Sequence, residues 1–486
     1  MKTEKGVKRV MKNEIGAIVL AAGKGTRMKS ELPKVIHEVG GFPLVAYPLF
    51  ALKELDSQIS PYLVLGFGKE KVEECLSFIN REYLPKAIVT VLQKNQNGTG
   101  DAVRLAMEKI QKRGEHFSEV LILNGDVPLI DKSDLRKLIN YHKEKKSLVT
   151  VLGTRLKNPG KLGRLVKDSK ENLIKITEYE DASEEVRRIL EVNGGIYCID
   201  FEFLSSSIHQ LQSKNRQKEF YLTDLVEIAS KKRRGAAQAL CIQESLKLKG
   251  VNDRVEKSVA DRALRIKKAW KLMEAGVDLL SPSESWIDWK VEIGKDTRIW
   301  PDAVILGETA IGSGCEIQNG VRIESSKISD GVVIKQGTVI EGSVVWENAV
   351  LGPYAHLRPE TEIGKGAKVG NFVEMKKTKF GAGAKASHLS YLGDAEVGEE
   401  TNIGCGFITC NYTARREKHQ TKIGKNVFLG SDCQAIAPVT IEDNSIVASG
   451  TTITRNVKEG DLAISRTKQE NKSGYAKRYL PKKKKS

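Results

Sequence analysis

The stretch Ile293–Ile323, IGKDTRIWPDAVILGETAIGSGCEIQNGVRI, decides the fold of half this chain. Ile293, Ile299, Ile305, Ile311, Ile317 and Ile323 stand at every sixth position. The spacing resumes at Ile334 and Ile340, at Ile363 and Val369, and over Ile423, Leu429, Ala435, Ile441, Val447 and Ile453. An α-helix repeats near 3.6 residues and a flat strand at two, so neither explains a period of six. A hexapeptide repeat matches a parallel β-helix, in which each coil has three short faces and each face takes six residues. The aliphatic side chain points into the prism. Glycine often follows it, as in Ile293-Gly294, Ile311-Gly312, Ile363-Gly364 and Ile423-Gly424, where a small residue eases the corner. The repeat reads as breaking from about Arg358 to Tyr412, where polar residues gather.

Upstream, Arg254–Gly276 is charged, amphipathic and free of turn signals, which predicts a connecting helix. Before it, apolar runs at Ala17–Leu20, Tyr62–Leu65, Ala87–Leu92, Val120–Leu123 and Leu148–Leu152 alternate with helical patterns at Pro43–Leu55, Thr99–Lys112 and Ser133–Lys143. Alternation of this kind predicts a mostly parallel sheet with helices on both faces and ligands at the carboxyl ends of its strands. The expected organisation is a basic extension at 1–14, an α/β domain at 15–253, a linker helix at 254–276, a β-helix at 277–466 and a basic tail at 467–486.

With 486 residues the chain is long enough for roughly two to four domains. Hydrophobic residues at 40% and charged residues at 29% exclude a disordered polymer. No run approaches the ~20 apolar residues of a membrane span, and MKTEKGVKRVMKN lacks the apolar core of a secretory signal. A cytoplasmic protein without a membrane partner is expected. The seven cysteines are scattered, and an odd number without paired spacing argues against a disulfide framework. The net charge of +17 sits largely in the tails, which end in PKKKKS. Aromatic residues are only 6% and do not interleave with the basic runs, so no specific nucleic acid is expected. Phosphorylated substrates suit a basic protein through electrostatic steering.

Leu20-Ala21-Ala22-Gly23-Lys24-Gly25-Thr26-Arg27-Met28 follows the first strand, and Pro33-Lys34 comes soon after. Small residues there let backbone N–H groups approach phosphates, while Arg27 and Lys34 bear on their charge. The string fits neither a Walker loop nor a GxGxxG turn. It resembles the sugar-1-phosphate nucleotidyltransferases. Gln93-Lys94-Asn95-Gln96-Asn97-Gly98-Thr99-Gly100 resembles their base-binding loop, and a Gln amide has the donor and acceptor that a uracil edge requires. Leu121–Asp126 is an apolar strand ending in a carboxylate placed for Mg²⁺.

Over residues 15–470 the chain resembles the bifunctional N-acetylglucosamine-1-phosphate uridylyltransferase/glucosamine-1-phosphate acetyltransferase family. The resemblance implies an α/β Rossmann-like nucleotidyltransferase domain followed by a left-handed parallel β-helix of hexapeptide repeats. Leu20, Ala21, Ala22, Gly23, Lys34, Gln93, Gly98, Thr99, Asn124 and Asp126 would then bind the nucleotide. Gly163, Glu178, Asn193, Thr223 and Asn252 would hold the sugar phosphate, with Asp126 and Asn252 as the metal ligands. Arg27 and Lys34 would support in-line attack of the sugar phosphate on the α-phosphorus of UTP, chemistry that is mostly positioning and charge neutralisation. Asn124 departs from the family, where an aromatic residue is expected.

In the C-terminal half, Arg358 and Lys376 suit a sugar phosphate, and His388 lies within Ser387–Asp394. The amine of glucosamine must lose a proton before it attacks a thioester, and histidine is the residue type suited to take it. By the same resemblance His388 is the base and Glu374 orients it. Arg358, Lys376, Tyr391, Asn402, Asn411, Tyr412 and Lys418 would contact the sugar phosphate. Cys405, Asn411, Tyr412, Ser431, Ser449 and Arg466 would bind acetyl-CoA. Cys405 replaces a usual Ala, and Thr413-Ala414 replaces the family's Asp-Gly in a loop one residue longer. The implied substrates are UTP, N-acetylglucosamine-1-phosphate, glucosamine-1-phosphate and acetyl-CoA, and the implied assembly is a homotrimer. Two alternatives remain open from the residues. One is a single-function nucleotidyltransferase with a structural β-helix. The other is a non-enzymatic scaffold like an exchange-factor subunit.

Overall fold

The computed structural model describes residues 13–243 and 245–480. Most of the basic N-terminal extension and the terminal Lys run lie outside the described residues. The chain divides into two compact units, Met1–Leu264 and Arg265–Ser486, and the division falls inside the helix Arg254–Glu274. In the first unit Asp261 of this helix accepts from the backbone N–H of Gly40 at 2.7 Å. In the second, Arg265 pairs with Asp288 at 2.7 Å and covers the ring of Trp286.

The first unit is built on a central sheet. Its strands are β1 (Asn13–Ala21), β2 (Tyr62–Leu65), β3 (Val89–Leu92), β4 (Phe117–Asn124), β5 (Val149–Arg155), β6 (Glu191–Asp200) and β7 (Ala237–Ile242). They lie in the order β7-β5-β6-β4-β1-β2-β3. All neighbours run parallel except β6, which is antiparallel to both β4 and β5. β1 and β4 are apolar throughout their middles because both faces are covered: Ile18, Val19, Ile122 and Leu123 have no exposed surface. The helices Ala46–Leu55, Thr99–Lys112 and Lys132–Lys145 cover the sheet. The antiparallel β6 and the hairpin Arg164–Lys167/Leu173–Thr177 that pairs with its edge escape the alternation rule, since they enter as an insertion in a βα series.

His142 tests this packing. It is 3% exposed, and its Nδ1 lies 2.8 Å from Thr150 Oγ1. Burial holds its pKa down at about 4. In the unfolded chain the imidazole takes its proton near the ordinary 6.5. The stability it supports is therefore complete above that value and is lost as pH falls towards 4, by about 3 kcal/mol at most. Urea midpoints measured from pH 7 to pH 4.5 are expected to fall steadily, and His142→Asn is expected to flatten the slope.

The second unit is a parallel β-helix. Ile287 pairs with Ile305 and Ile299 with Ile317, eighteen residues on, so a coil uses three six-residue faces. The inward side chains form one continuous core from Ile287 to Ile453. One expectation is corrected here. The repeat does not break from Arg358 to Tyr412. Leu357, Ile363, Val369, Met375, Phe380, Ala386, Leu392, Val397 and Ile403 all point inward and are at most 5% exposed. Some faces spend five residues in place of six, so register partners such as Ile363 and Phe380 lie seventeen apart. A dropped corner residue leaves the strand intact, because only the turn shortens. The true interruption is brief: after Cys410 the chain leaves the coil as a hairpin, bridged at Tyr412–Lys418, and returns at Thr421–Ile423.

Candidate active sites

In the first unit the candidate residues converge at the carboxyl ends of β1 and β4. Leu20 pairs with Asn124 in register, and the N–H of Gly125 donates to Leu20 O at 2.8 Å. This docks the turn Ala21–Gly23 beside Asp126. The N–H of Val251 donates to Asp126 O at 2.9 Å, which brings Asn252 alongside. The Asn252 amide nitrogen donates to Gly250 O at 3.2 Å, so its Oδ1 faces the opposite way. There Lys34 Nζ donates to both the Asp126 carboxylate and Asn252 Oδ1, the latter at 3.2 Å. Arg27 Nη2 donates to the same Asn252 oxygen at 3.0 Å. Two hard oxygen donors thus converge on one cation. A pair of protein oxygens is what Mg²⁺ takes where substrate phosphates and water complete its shell.

Beside this cluster lies a cleft of about 470 Å³ lined by Lys24, Gly66, Phe67, Leu92, Gln93, Lys94, Asn95 and Gln96. Gln93 is 3% exposed, and its amide hydrogens are already engaged, by Gly98 O at 3.1 Å and by Asp101 Oδ2 at 2.9 Å. Of the expected donor and acceptor, only the acceptor remains for a base. Gly98 holds φ +107°, and a Cβ there would strike Phe220, so glycine is required. Thr99 Oγ1 accepts from the N–H of Leu222 at 3.2 Å and ties the loop to its neighbour.

Four of the expected sugar residues, Gly163, Glu178, Asn193 and Thr223, are also brought together, while the fifth, Asn252, stands in the Asp126 cluster. The N–H of Asn193 donates to Gly163 O at 2.9 Å, and Glu178 lies against Gly163. Thr223 Oγ1 is 3.5 Å from Glu178 Oε1. Burial, with Asp181 and Asp224 nearby, pushes the Glu178 carboxyl above its usual range, although Thr223 offsets part of this. Asn124 lies against Gly195, whose φ of +71° and missing side chain make the room. Tyr197 escaped the sequence reading. It is held at 2.8 Å by the Asn193 amide and lies at a β-strand position with no motif to mark it.

In the second unit His388 is exposed, and its Nδ1 lies 2.9 Å from Asn371 Oδ1 on the preceding coil. A carbonyl oxygen only accepts, so Nδ1 carries the hydrogen, and in the neutral ring the lone pair is on Nε2. In one chain this is not the expected partner. Within one chain Glu374 is instead paired with Arg358 at 2.9 Å, and Asn371 orients His388. No spacing rule could reveal Asn371, which becomes a neighbour only through the coil register.

Arg358, Lys376 and Lys418 form a cationic corner. The Lys376 ammonium is held below its usual pKa, first by Lys418 and then by Arg358. The hairpin therefore returns Lys418 to Lys376 despite its altered sequence. Tyr391 stands in register with Glu374 on the face between this corner and that of His388. The Asn411 amide donates to Asp394, which locks it beside Gly393, while Tyr412 is 60% exposed. Asn402 is not joined to this group in one chain. It stands on the neighbouring face between Lys385 and Phe428.

Of the expected acetyl-CoA residues, Cys405, Ser431, Ser449 and Arg466 follow one corner, whereas Asn411 and Tyr412 stand at the hairpin. Ser390 Oγ donates to His388 O and Gly404 O, at 2.8 and 3.2 Å. The N–H of Asp432 donates to Cys405 O at 2.7 Å and that of Gly450 to Ser431 O at 2.9 Å. Arg466 Nη1 donates to Ser449 O at 3.2 Å. These bonds carry a continuous ladder from His388 to Arg466. All described cysteines are free thiols, with Cys405 exposed and Cys198, Cys315 and Cys433 buried. Among the described residues no helix is long and apolar enough to cross a membrane.

Comparison with protein-family models matches residues 17–193 to the MobA-like NTP transferase domain. Residues 287–361 match the GMPPB C-terminal domain, and residues 420–455 the hexapeptide repeat of succinyl-transferase. The chain is similar to the bifunctional protein GlmU of Trichlorobacter lovleyi, 46% identical over 94% of this chain and 97% of that one. It is 45% identical to that of Geotalea daltonii, over 95% and 98% respectively. It is 41% identical to that of Bdellovibrio bacteriovorus, over 94% and 97%.

Proposed function

The chain belongs to the bifunctional GlmU family of uridylyltransferase/acetyltransferases that make UDP-N-acetylglucosamine, and we propose that its two units divide that work between two independent sites. The second unit acetylates glucosamine-1-phosphate from acetyl-CoA. The first then joins N-acetylglucosamine-1-phosphate to UMP from UTP and releases pyrophosphate. The observation that carries the acetyltransferase half is the cationic corner of Arg358, Lys376 and Lys418, one β-helix face away from His388. Arg358 has Glu374 as a partner, but a structural β-helix gains nothing from holding Lys418 and Arg358 against Lys376, whereas a sugar phosphate relieves that repulsion.

For acetyl transfer, the sugar phosphate rests on these cations with Tyr391 and Asn411 beside it. Nε2 of His388 takes a proton from the amine as nitrogen attacks the thioester carbonyl. The C–S bond breaks, and the coenzyme thiolate leaves along the ladder of Cys405, Ser431, Ser449 and Arg466. For uridylyl transfer, Lys34 and Arg27 bear on the triphosphate while Glu178, Asn193 and Thr223 hold the sugar in line with the α-phosphorus. Asp126 and Asn252 would hold Mg²⁺, which when bound supplies further positive charge to the phosphates. The protein is proposed to act in the cytoplasm.

The direct test measures thiol release from acetyl-CoA with glucosamine-1-phosphate, and pyrophosphate release from UTP with N-acetylglucosamine-1-phosphate. Both are expected. Pyrophosphate release alone would leave a nucleotidyltransferase with a structural β-helix, and neither would leave a scaffold. Lys376→Ala is expected to raise KM for glucosamine-1-phosphate about tenfold, since a charge-assisted bond to phosphate is lost. It should not lower thermal stability, because it removes a like-charge contact.

A homotrimer is also proposed. Phe428, Ile446 and Leu462 stand in register on the face that carries Asn402, at 53%, 49% and 62% exposed. A neighbouring copy would cover them and bring Asn402 towards a sugar site. Light scattering should give three times the chain mass; a monomer with full acetyl transfer would overturn this.

A further inference from the structure

We infer that Asp101, braced by Arg104, is a positioning residue that sets which atom of the Gln93 amide meets the nucleotide base. The inference rests on the uridylyl-transfer reading and deepens it.

Gln93 and Asp101 are each 3% exposed. Asp101 sits in the first turn of the helix Thr99–Lys112. Its Oδ2 accepts from Gln93 Nε2 at 2.9 Å, and its Oδ1 accepts from Arg104 Nη2. The second hydrogen of the Gln93 amide goes to Gly98 O at 3.1 Å. A carboxylate and a carbonyl accept only. Reversing the amide would set its oxygen against both, with the two side chains almost fully buried. The amide is therefore held in one orientation, and Oε1 is the atom left for the cleft that Gln93 lines.

An acceptor-only side chain selects its partner. The ring N3 of uracil carries a hydrogen and can donate to Oε1. The ring N3 of cytosine carries a lone pair and would face it unpaired. Arg104 supports the choice at a distance. Its guanidinium holds the carboxylate in place while remaining 41% exposed, so its own charge stays hydrated. The helix thus conveys base preference through a residue that touches no substrate.

The test compares kcat/KM for UTP and CTP with N-acetylglucosamine-1-phosphate, wild type against Asp101→Asn. Asn is isosteric, and with Arg104 holding its oxygen it turns a donor towards Gln93, so only Gly98 O still favours the original orientation of the amide. The expected result is a UTP/CTP ratio reduced at least about tenfold, carried mainly by KM, with kcat for UTP nearly kept. An unchanged ratio in a variant with a wild-type melting profile would overturn the inference. A second measurement needs no variant. UTP methylated at N3 lacks the donated hydrogen, and wild type is expected to use it at least about tenfold less well than UTP. Equal use would also overturn the inference. Failure of wild-type protein to release pyrophosphate from UTP would instead sink the underlying uridylyl-transfer reading.

Discussion

Asp126→Asn is expected to cut pyrophosphate release from UTP and N-acetylglucosamine-1-phosphate about a thousandfold while leaving acetyl transfer within twofold. The carboxylate is the one anion of the cluster it forms with Lys34, Asn252 and Arg27. Removing its charge leaves Asn252 as a neutral and weak oxygen donor for any metal ion. It also leaves Lys34, only 13% exposed, without its counter-charge. Asn keeps the volume and the backbone bond from Val251, so the fold should survive. Raising Mg²⁺ should restore part of the rate if metal affinity is what was lost. The thiol assay on the same preparation is the control. Loss of both activities in a folded protein would show that the two sites do not act independently.

The reciprocal change, His388→Ala, is expected to lower acetyl transfer by about 10² to 10⁴, the usual worth of a positioned general base, and to leave uridylyl transfer intact. The imidazole is exposed and bonded to one side chain, so its removal should not unfold the coil. The deficit should shrink at high pH, where more of the sugar amine is already deprotonated and needs no base. A purely structural role predicts a deficit that does not change with pH. Asn371→Ala should give a smaller loss through the freed imidazole, with the same sign of pH dependence. Glu374→Gln separates the observed contact from the expected one: within one chain Glu374 meets Arg358, so its loss should appear first in KM for the sugar phosphate.

The inward isoleucines determined the β-helix by themselves, because each six-residue face buries one side chain whatever lies elsewhere. The motif Leu20–Met28, the strand ending at Asp126, and the string around His388 likewise carried their chemistry in adjacent residues. Such local patterns survive in sequence because strand, turn and reactive group are neighbours along the chain. Tertiary structure alone decided the rest. It showed the repeat running unbroken through Leu357–Ile403, since a five-residue face shortens a corner without moving the buried side chain. It set Asn371 beside His388 and Lys418 beside Lys376, contacts made by coil register and by a returning hairpin. It also locked Gln93 through Asp101, leaving an acceptor where composition alone allowed a donor as well. A residue's type fixes which bonds it can make. Which bonds are already used depends on neighbours distant in the chain, and these exist only once the chain has folded.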